Sequence, residues 1–471
     1  YKRKIMVNSL GSQYFNYNNK IEPASVRGKT TEASRLSSYD SRQNLEQLSF
    51  GSFWKSRLFN NNVSSPDDKQ MYSEIEKSLD RETKANFDKL TDTGIILQRN
   101  SNDGSSVLEN LYKILKNPRH DGLETSKILS QTINTLANPH IITQSFGDIP
   151  PEKMRDVILA RGVNGKNQPP ENTFNLEDTN VTASSCCVAA SVEFSLAHKK
   201  PAEFARMVEG LTSQNPEIKT RVQLDKITDK PADSLSILDD FKTDYKLLDW
   251  NTAEVTIKPD KNAIIRAQIQ NDFKDPNERS SLDVMMQSAL MNLGSEDAYN
   301  SLVVKRFGPL STNNEGLTEF EKTFVETIVN NESKISLTYQ IVDDNQRIVG
   351  YNYDFNAVQK QLIDSLNGGS DVIIGITEAD ESNRIIGGHE ITVIGYQQDA
   401  DGKVVFTVND TDDDTNMPIT VSASELIPKI HHAGIPTKLV NLPPQEEIGY
   451  QILQEYNNMK TQPEEQAGIP I

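Results

Sequence analysis

Residues 186–198 read Cys-Cys-Val-Ala-Ala-Ser-Val-Glu-Phe-Ser-Leu-Ala-His, and this stretch decides the fold. Alanine and aliphatic residues recur in it at helical spacing, and Lys200-Pro201 separates it from a second helix that runs to Leu211. The N-terminus of a helix stabilises a thiolate through its unsatisfied N–H groups and its dipole. The sequence therefore predicts a helix that begins at the cysteines, with Cys187 as a candidate nucleophile and Cys186 as its neighbour.

A candidate base lies about 200 residues further on, in a region where strands dominate. Predicted strands cover residues 335–342, 347–351, 372–377, 390–396 and 404–408, with a helix at 355–366 between the second and the third. His389 follows Gly387-Gly388 at the start of one strand of a hairpin, and Asn409-Asp410 ends the other. Antiparallel pairing brings these residues together, and a catalytic histidine needs an acceptor that fixes its tautomer.

Two short stretches resemble papain-like cysteine peptidases. Cys187-Val188-Ala189-Ala190-Ser191 is similar to the Cys-Trp-Ala-Phe-Ser stretch that opens the central helix of that family. Residues 389–396, His-Glu-Ile-Thr-Val-Ile-Gly-Tyr, resemble its His-Ala-Val stretch, which reaches Gly-Tyr at the same offset. The ending Val408-Asn409-Asp410 resembles the Asn-Asp-Pro ending of bacterial bacteriocin-processing-type relatives more than the Asn-Ser-Trp ending of papain.

The resemblance implies an α+β fold with a papain-like core, made of an N-terminal helical subdomain and a C-terminal antiparallel sheet. It also implies a catalytic triad of Cys187, His389 and Asp410, with Asn409 as the alternative third member. Val181 stands where the family has its oxyanion-hole glutamine, so Asn180 is the predicted stand-in because its amide can donate a hydrogen bond. The separation of cysteine and histidine exceeds the roughly 130–150 residues usual for papain-type enzymes, and an insertion accounts for the excess.

Amino-acid composition and a linker rich in Gly, Asn and Pro divide the chain into four parts. Residues 1–65 are rich in Asn, Ser, Gln and Arg and are predicted to be a largely disordered arm. Residues 66–162 form a helical region, and a Gly, Asn and Pro linker at 162–172 separates it from the rest. Residues 173–442 form the papain-like core with a helical insertion at about 214–331, and residues 443–471 form a tail.

Charge and cysteine content exclude several classes of protein. The formal net charge of −18 repels phosphate backbones, so nucleic acid is not a predicted partner. No apolar run approaches the roughly 20 residues needed to span a bilayer. Two adjacent cysteines cannot link distant parts of a fold through disulfide bonds. Free thiols are compatible with a cytoplasmic and with a secreted thiol enzyme, so the cysteine content does not determine the compartment.

No cofactor and no metal ion are predicted from the sequence. His431-His432 together with His389 suggests a metal site, but these histidines lack the usual ligand spacing. The loop from Asp410 alternates carboxylates like a calcium loop, yet Thr415 replaces the glycine at its sixth position and Val421 the glutamate at its twelfth. A solvated acidic loop is the preferred interpretation.

The preferred functional hypothesis is a cysteine peptidase that acts on a peptide or protein substrate. A transglutaminase or deamidase would use the same three residues with another acceptor, and a papain-like binding module without catalysis is the third reading. An ordinary, unreactive thiol at Cys187 would favour the binding module. The oligomeric state stays open.

Overall fold

The computed structural model describes residues 66–145, 185–272, 279–296, 298–302, 304–306, 316–413 and 415–440. The predicted arm, linker and tail lie outside the described residues, and so does Asn180. Among the described residues, no helix is long and apolar enough to cross a lipid bilayer.

The described chain contains helices throughout and strands from residue 218 onward. The helices are α1 Pro66–Ser78, α2 Arg81–Asp92, α3 Val107–Lys116, α4 Thr125–Ala137, α5 Cys187–Lys199, α6 Pro201–Leu211, α7 Leu224–Ile227, α8 Pro231–Asp240, α9 Ala263–Asp272, α10 Ser281–Gly294, α11 Glu319–Asn330, α12 Phe355–Asn367 and α13 Ala423–Leu426. The strands are β1 Ile218–Gln223, β2 Asp244–Asp249, β3 Thr252–Ile257, β4 Tyr299–Asn300, β5 Lys305–Arg306, β6 Lys334–Thr338, β7 Gln340–Val342, β8 Ile348–Tyr351, β9 Val372–Ala379, β10 Ile385–Gln398, β11 Val404–Asn409, β12 Ile419–Ser422 and β13 Ile430–Pro436.

Helix α5 is the centre of the structure, and it begins at Cys187 as the alanine spacing predicts. Every residue from Cys187 to Ala197 is buried, because α4, α6, α10, α11 and the strands β9 and β10 pack around the helix. A helix that is apolar on all sides belongs in a core. Its many small side chains let these neighbours approach closely.

The C-terminal part is a six-stranded sheet in the order β12-β11-β10-β9-β13-β6, with every neighbouring pair antiparallel. Successive residues of β9 point to opposite faces: Ile373 joins the core around α5, whereas Val372 and Ile374 join a second core that contains α12. Helices therefore cover both faces of the sheet. This mixture of helices and antiparallel sheets confirms the predicted α+β class.

The N-terminal helices and α5 share one hydrophobic core. A single cluster of buried side chains runs from Tyr72 in α1 through α5 to Val329 in α11 and includes Ile373 of β9. Helices α10 and α11, from the segment predicted as an insertion, pack directly on α5.

The predicted insertion at about 214–331 is not purely helical, because β1, β3 and β2 form a three-stranded sheet there. Strand β2 was not predicted from the sequence because it is exposed and charged and therefore lacks the alternation of apolar and polar residues that marks a half-buried strand. The predicted strand at 335–342 is likewise divided, at Tyr339, into β6 and β7.

Replacement of Phe194 tests whether the packing around α5 carries the fold. Its fully buried ring lies 5.3 Å from the ring of His140 and 5.6 Å from that of His198. Truncation of a buried Phe costs about 3–5 kcal/mol through lost transfer free energy and the cavity left behind. We expect Phe194→Ala to lower the free energy of unfolding in urea by that amount.

Phe355→Ala is the matched control, because Phe355 is 40% exposed and surface substitutions change stability by about 0.5 kcal/mol at most. Equal losses for both variants would contradict a fold centred on α5.

Candidate active site

Cys187 is the first residue of α5, and its side chain is buried next to the helix N-terminus. Cys186 occupies the N-cap position, but its side chain makes no capping hydrogen bond. Helices α3, α10 and α11, by contrast, each begin with a capping box formed by a serine or threonine. The first N–H groups of a helix have no intrahelical acceptor, and no side-chain cap from Cys186 takes them at α5. The positive end of the helix dipole favours negative charge at this position, where Cys187 lies.

The second cysteine has a different environment. Cys186 is fully buried, and its Sγ atom lies 2.9 Å from the hydroxyl of Tyr299. Burial raises the pKa of Tyr299 well above its ordinary value, so the phenol keeps its proton while it shares this hydrogen bond with the sulfur. Cys186 is thus held by Tyr299 in the core.

His389 lies between Cys187 and Asp410. Strands β10 and β11 pair with Thr392 opposite Asn409, and this register carries Asp410 to the His389 ring, where its Oδ1 is 2.6 Å from Nε2. Cys187 lies close enough to the same ring for a side-chain hydrogen bond and for its charge to raise the pKa of His389. Because Asp410 occupies Nε2, Nδ1 is the nitrogen left for the thiol. The three residues form a chain of hydrogen bonds from sulfur to carboxylate.

The electrostatics of this chain favour an imidazolium. Burial by itself lowers the pKa of His389, but the charge and hydrogen bond of Asp410, together with Cys187, raise it well above the ordinary value. Burial raises the pKa of Asp410, yet His389 and the backbone N–H of Asp412 lower it below its usual range. The side chains of His389 and Asp410 are 21% and 27% exposed, whereas Cys187 is 5% exposed, so the cluster meets solvent on the side of the histidine and the aspartate.

Asn409 points elsewhere. Its side chain is buried and its Oδ1 accepts a hydrogen bond of 2.6 Å from Nδ1 of His140. Burial lowers the pKa of His140, which keeps that ring neutral. Consecutive residues of a strand face opposite sides, so Asn409 and Asp410 have different partners. The structure therefore brings Cys187, His389 and Asp410 together and does not bring the Asn409 side chain to His389.

Contacts from residues 143–144 were missed by the sequence reasoning. Thr143 and Gln144 both bond the carbonyl oxygen of Thr411, and the side chain of Gln144 bonds Asp412. These residues hold the loop that carries Asp410. Nothing in the spacing of the sequence indicates this contact, because the two segments are about 270 residues apart and meet only in the folded chain.

The histidine pair of the sequence analysis lies apart from His389. His431 and His432 are on β13, and their ring nitrogens converge on Glu319 of α11 instead. Among the described residues, this cluster is the one group of three that has metal-ligand geometry.

Comparison with protein-family models, curated proteins and solved structures returned no match. The geometry of Cys187, His389 and Asp410 is therefore the basis for assigning a function.

Alkylation with iodoacetamide at pH 6 distinguishes the two cysteines. An ordinary thiol labels slowly at this pH because little thiolate is present. We expect rapid labelling of Cys187, located by peptide mass spectrometry, and labelling about tenfold or more slower in His389→Ala.

Cys186→Ser should label like the wild type and Cys187→Ser should not label at low reagent concentration. An adduct at Cys186, or equal rates in the wild type and His389→Ala, would show that no activated thiolate exists.

Proposed function

We propose that this chain is a papain-like thiol hydrolase that cleaves peptide bonds with Cys187 as nucleophile, His389 as general base and acid, and Asp410 as the residue that orients His389. The observation that carries the proposal is the position of the His389 ring, hydrogen-bonded to the Cys187 thiol and 2.6 Å from the Asp410 carboxylate. A nucleophile that contacts a base, which in turn contacts an acceptor that orients it, is the arrangement found in thiol hydrolases.

The first half of the reaction forms an acyl-enzyme. His389 takes the proton of Cys187, and the thiolate attacks the carbonyl carbon of the scissile peptide bond. The negative charge that develops on the carbonyl oxygen is stabilised by the N-terminal N–H groups of α5. The tetrahedral intermediate then breaks its C–N bond, and His389 gives its proton to the departing amine.

The second half releases the acid. Water replaces the amine product, and neutral His389 takes one proton from it while the oxygen attacks the thioester carbon. Collapse of the second tetrahedral intermediate breaks the C–S bond, and Cys187 leaves as thiolate paired with the His389 imidazolium. The net reaction adds one water molecule across one peptide bond.

Asp410 acts through His389. Its carboxylate accepts a hydrogen bond from the Nε2–H group and so holds the tautomer that presents Nδ1 to the thiol, and its charge stabilises the imidazolium. The buried partners of neighbouring Asn409 and Thr411 hold the loop in place.

Exposure of the full chain to a proteome-derived peptide library, with products identified by mass spectrometry, tests the proposal. We expect cleavage by the wild type and by Cys186→Ser, and none by Cys187→Ser. Supply of a primary amine separates hydrolysis from acyl transfer, because a transferase would incorporate the amine into glutamine side chains. Amine incorporation without cleavage, or a library left unchanged while Cys187 labels rapidly, would refute peptide hydrolysis.

Substitution of Asp410 should change the pH profile as well as the rate. Since Asp410 raises the pKa of His389, Asp410→Asn should lower that pKa, so the imidazolium is lost at lower pH and the basic limb of kcat/KM moves toward acid. We expect the maximal kcat/KM to fall by about 10²–10⁴-fold.

Asp401→Asn is the matched control, because Asp401 lies in the exposed turn at the other end of the same hairpin. A loss of rate in Asp410→Asn with an unmoved basic limb would assign Asp410 a purely structural role.

A further inference from the structure

A second group of ligating side chains lies where α11 meets β13. Oε1 of Glu319 is 3.0 Å from Nδ1 of His431 and 3.4 Å from Nδ1 of His432, and the two Nδ1 atoms are 3.0 Å apart. Three potential ligand atoms thus face one another, each from a residue type that binds metal ions in proteins.

A β-bulge explains how two consecutive histidines face the same point. Neighbouring residues of a regular strand point to opposite faces, but the pairing of β13 with β9 shifts register between Ile430 and His432. The rings of His431 and His432 stand at 88° to each other, with centroids 5.3 Å apart. The bulge turns both Nδ1 atoms toward Glu319.

The far side of His432 is fixed by a buried ion pair. Its Nε2 lies 2.7 Å from Oε1 of Glu390, and Oε2 of Glu390 lies 3.1 Å from Nζ of Lys322. A carboxylate held by a lysine accepts hydrogen bonds, so His432 carries its proton on Nε2. The tautomer with its proton on Nε2 presents the lone pair of Nδ1 to the centre of the cluster, the arrangement found when a carboxylate orients a metal-bound histidine.

The remaining ligand is oriented in the same way, since Thr338 donates its hydroxyl proton to Oε2 of Glu319 over 2.9 Å and leaves Oε1 directed at the histidines. Strand β9 makes room for the ring of His432 at Gly375, which pairs with both Glu390 and His432. A Cβ atom there would lie 2.2 Å from Cε1 of His432 and 2.8 Å from Oε1 of Glu390. A side chain at position 375 would displace the arrangement.

The distances suit a transition-metal ion. Three atoms at these separations lie on a circle of about 1.8 Å radius, so an ion slightly above their plane reaches all three at the roughly 2.0–2.1 Å of zinc–nitrogen and zinc–oxygen bonds. His431 and His432 have side-chain exposures of 6% and 11%, and Glu319 of 25%, so the cluster opens to solvent on the Glu319 side. A water molecule can complete the coordination from there.

We propose that Glu319, His431 and His432 bind a divalent first-row transition-metal ion, with Zn²⁺ as the first candidate. The ion joins the first turn of α11, which belongs to the core around α5, to β13, which belongs to the core of the sheet. It therefore ties the two halves of the fold together, and none of its three ligands belongs to the proposed thiol site.

Direct metal binding tests the site in the untagged full chain. A background of Cys187→Ser removes the other place where zinc would bind, the thiol beside His389. After treatment with a chelator and gel filtration, we expect titration calorimetry to give one Zn²⁺ per chain with a dissociation constant in the micromolar range or below. Co²⁺ should produce visible d–d absorption at the same stoichiometry.

Variants locate the ion. Glu319→Gln keeps the size of the side chain but removes a charged ligand, and we expect it to weaken binding at least 100-fold. Glu390→Gln removes the residue that orients His432, and 10–100-fold weaker binding is expected. His120→Ala, a histidine in a distant turn, is the matched control and should bind like the background.

The melting temperature provides a second readout that needs no substitution in the cluster. Saturating Zn²⁺ should raise the Tm of the Cys187→Ser chain by several degrees, because an ion that binds the folded state alone stabilises it, and Glu319→Gln should remove the shift. Binding that is equal in Glu319→Gln and His120→Ala, or absence of both Co²⁺ absorption and a Tm shift in the background chain, would overturn the proposal.

Discussion

The structure depends on the burial of helix α5 on all sides. Helices α4, α6, α10 and α11 and the strands β9 and β10 enclose it, and alanine and serine leave little side-chain volume between their backbones. Close packing of this kind tolerates small displacements poorly. The N-terminus of α5 therefore has one position relative to β10, and that position sets the contact between Cys187 and His389. The geometry of Cys187, His389 and Asp410 is thus a consequence of core packing.

Both candidate sites join the same two halves of the molecule. Cys187 and Glu319 belong to helices of the core around α5, whereas His389 and His432 belong to strands of the six-stranded sheet. Strand β10 connects the two sites, because His389 takes part in one and the next residue, Glu390, in the other. A shift of the sheet against the helices would change both sites at once, so an ion at Glu319 would also restrain the distance between thiol and imidazole.

The sequence predicts the parts of this arrangement that depend on local structure. His389 lies on one strand of a hairpin and Asp410 directly follows the other, so the strand periodicity and the turn residues were enough to predict that they meet. Glu319 and His432 are more than 100 residues apart, and their contact requires the non-sequential neighbours β9 and β13. The bulge in β13 also reverses the usual rule that consecutive residues diverge. Strand order and bulges are set by tertiary packing, so the spacing of residues in the sequence does not predict them.

Three residues of helix α11 form buried ion pairs with neighbouring elements. Glu321 bonds Arg306, Lys322 bonds Glu390 and Glu326 bonds Lys334, all with side chains nearly or completely buried. The desolvation of such pairs offsets much of their attraction, so they add little net stability compared with apolar residues of the same size. Their geometry is demanding, however, and three pairs at different points along one helix define its rotation and its position along its axis. We infer that these ion pairs orient α11, and that this orientation places Glu319, in its first turn, opposite the two histidines of β13.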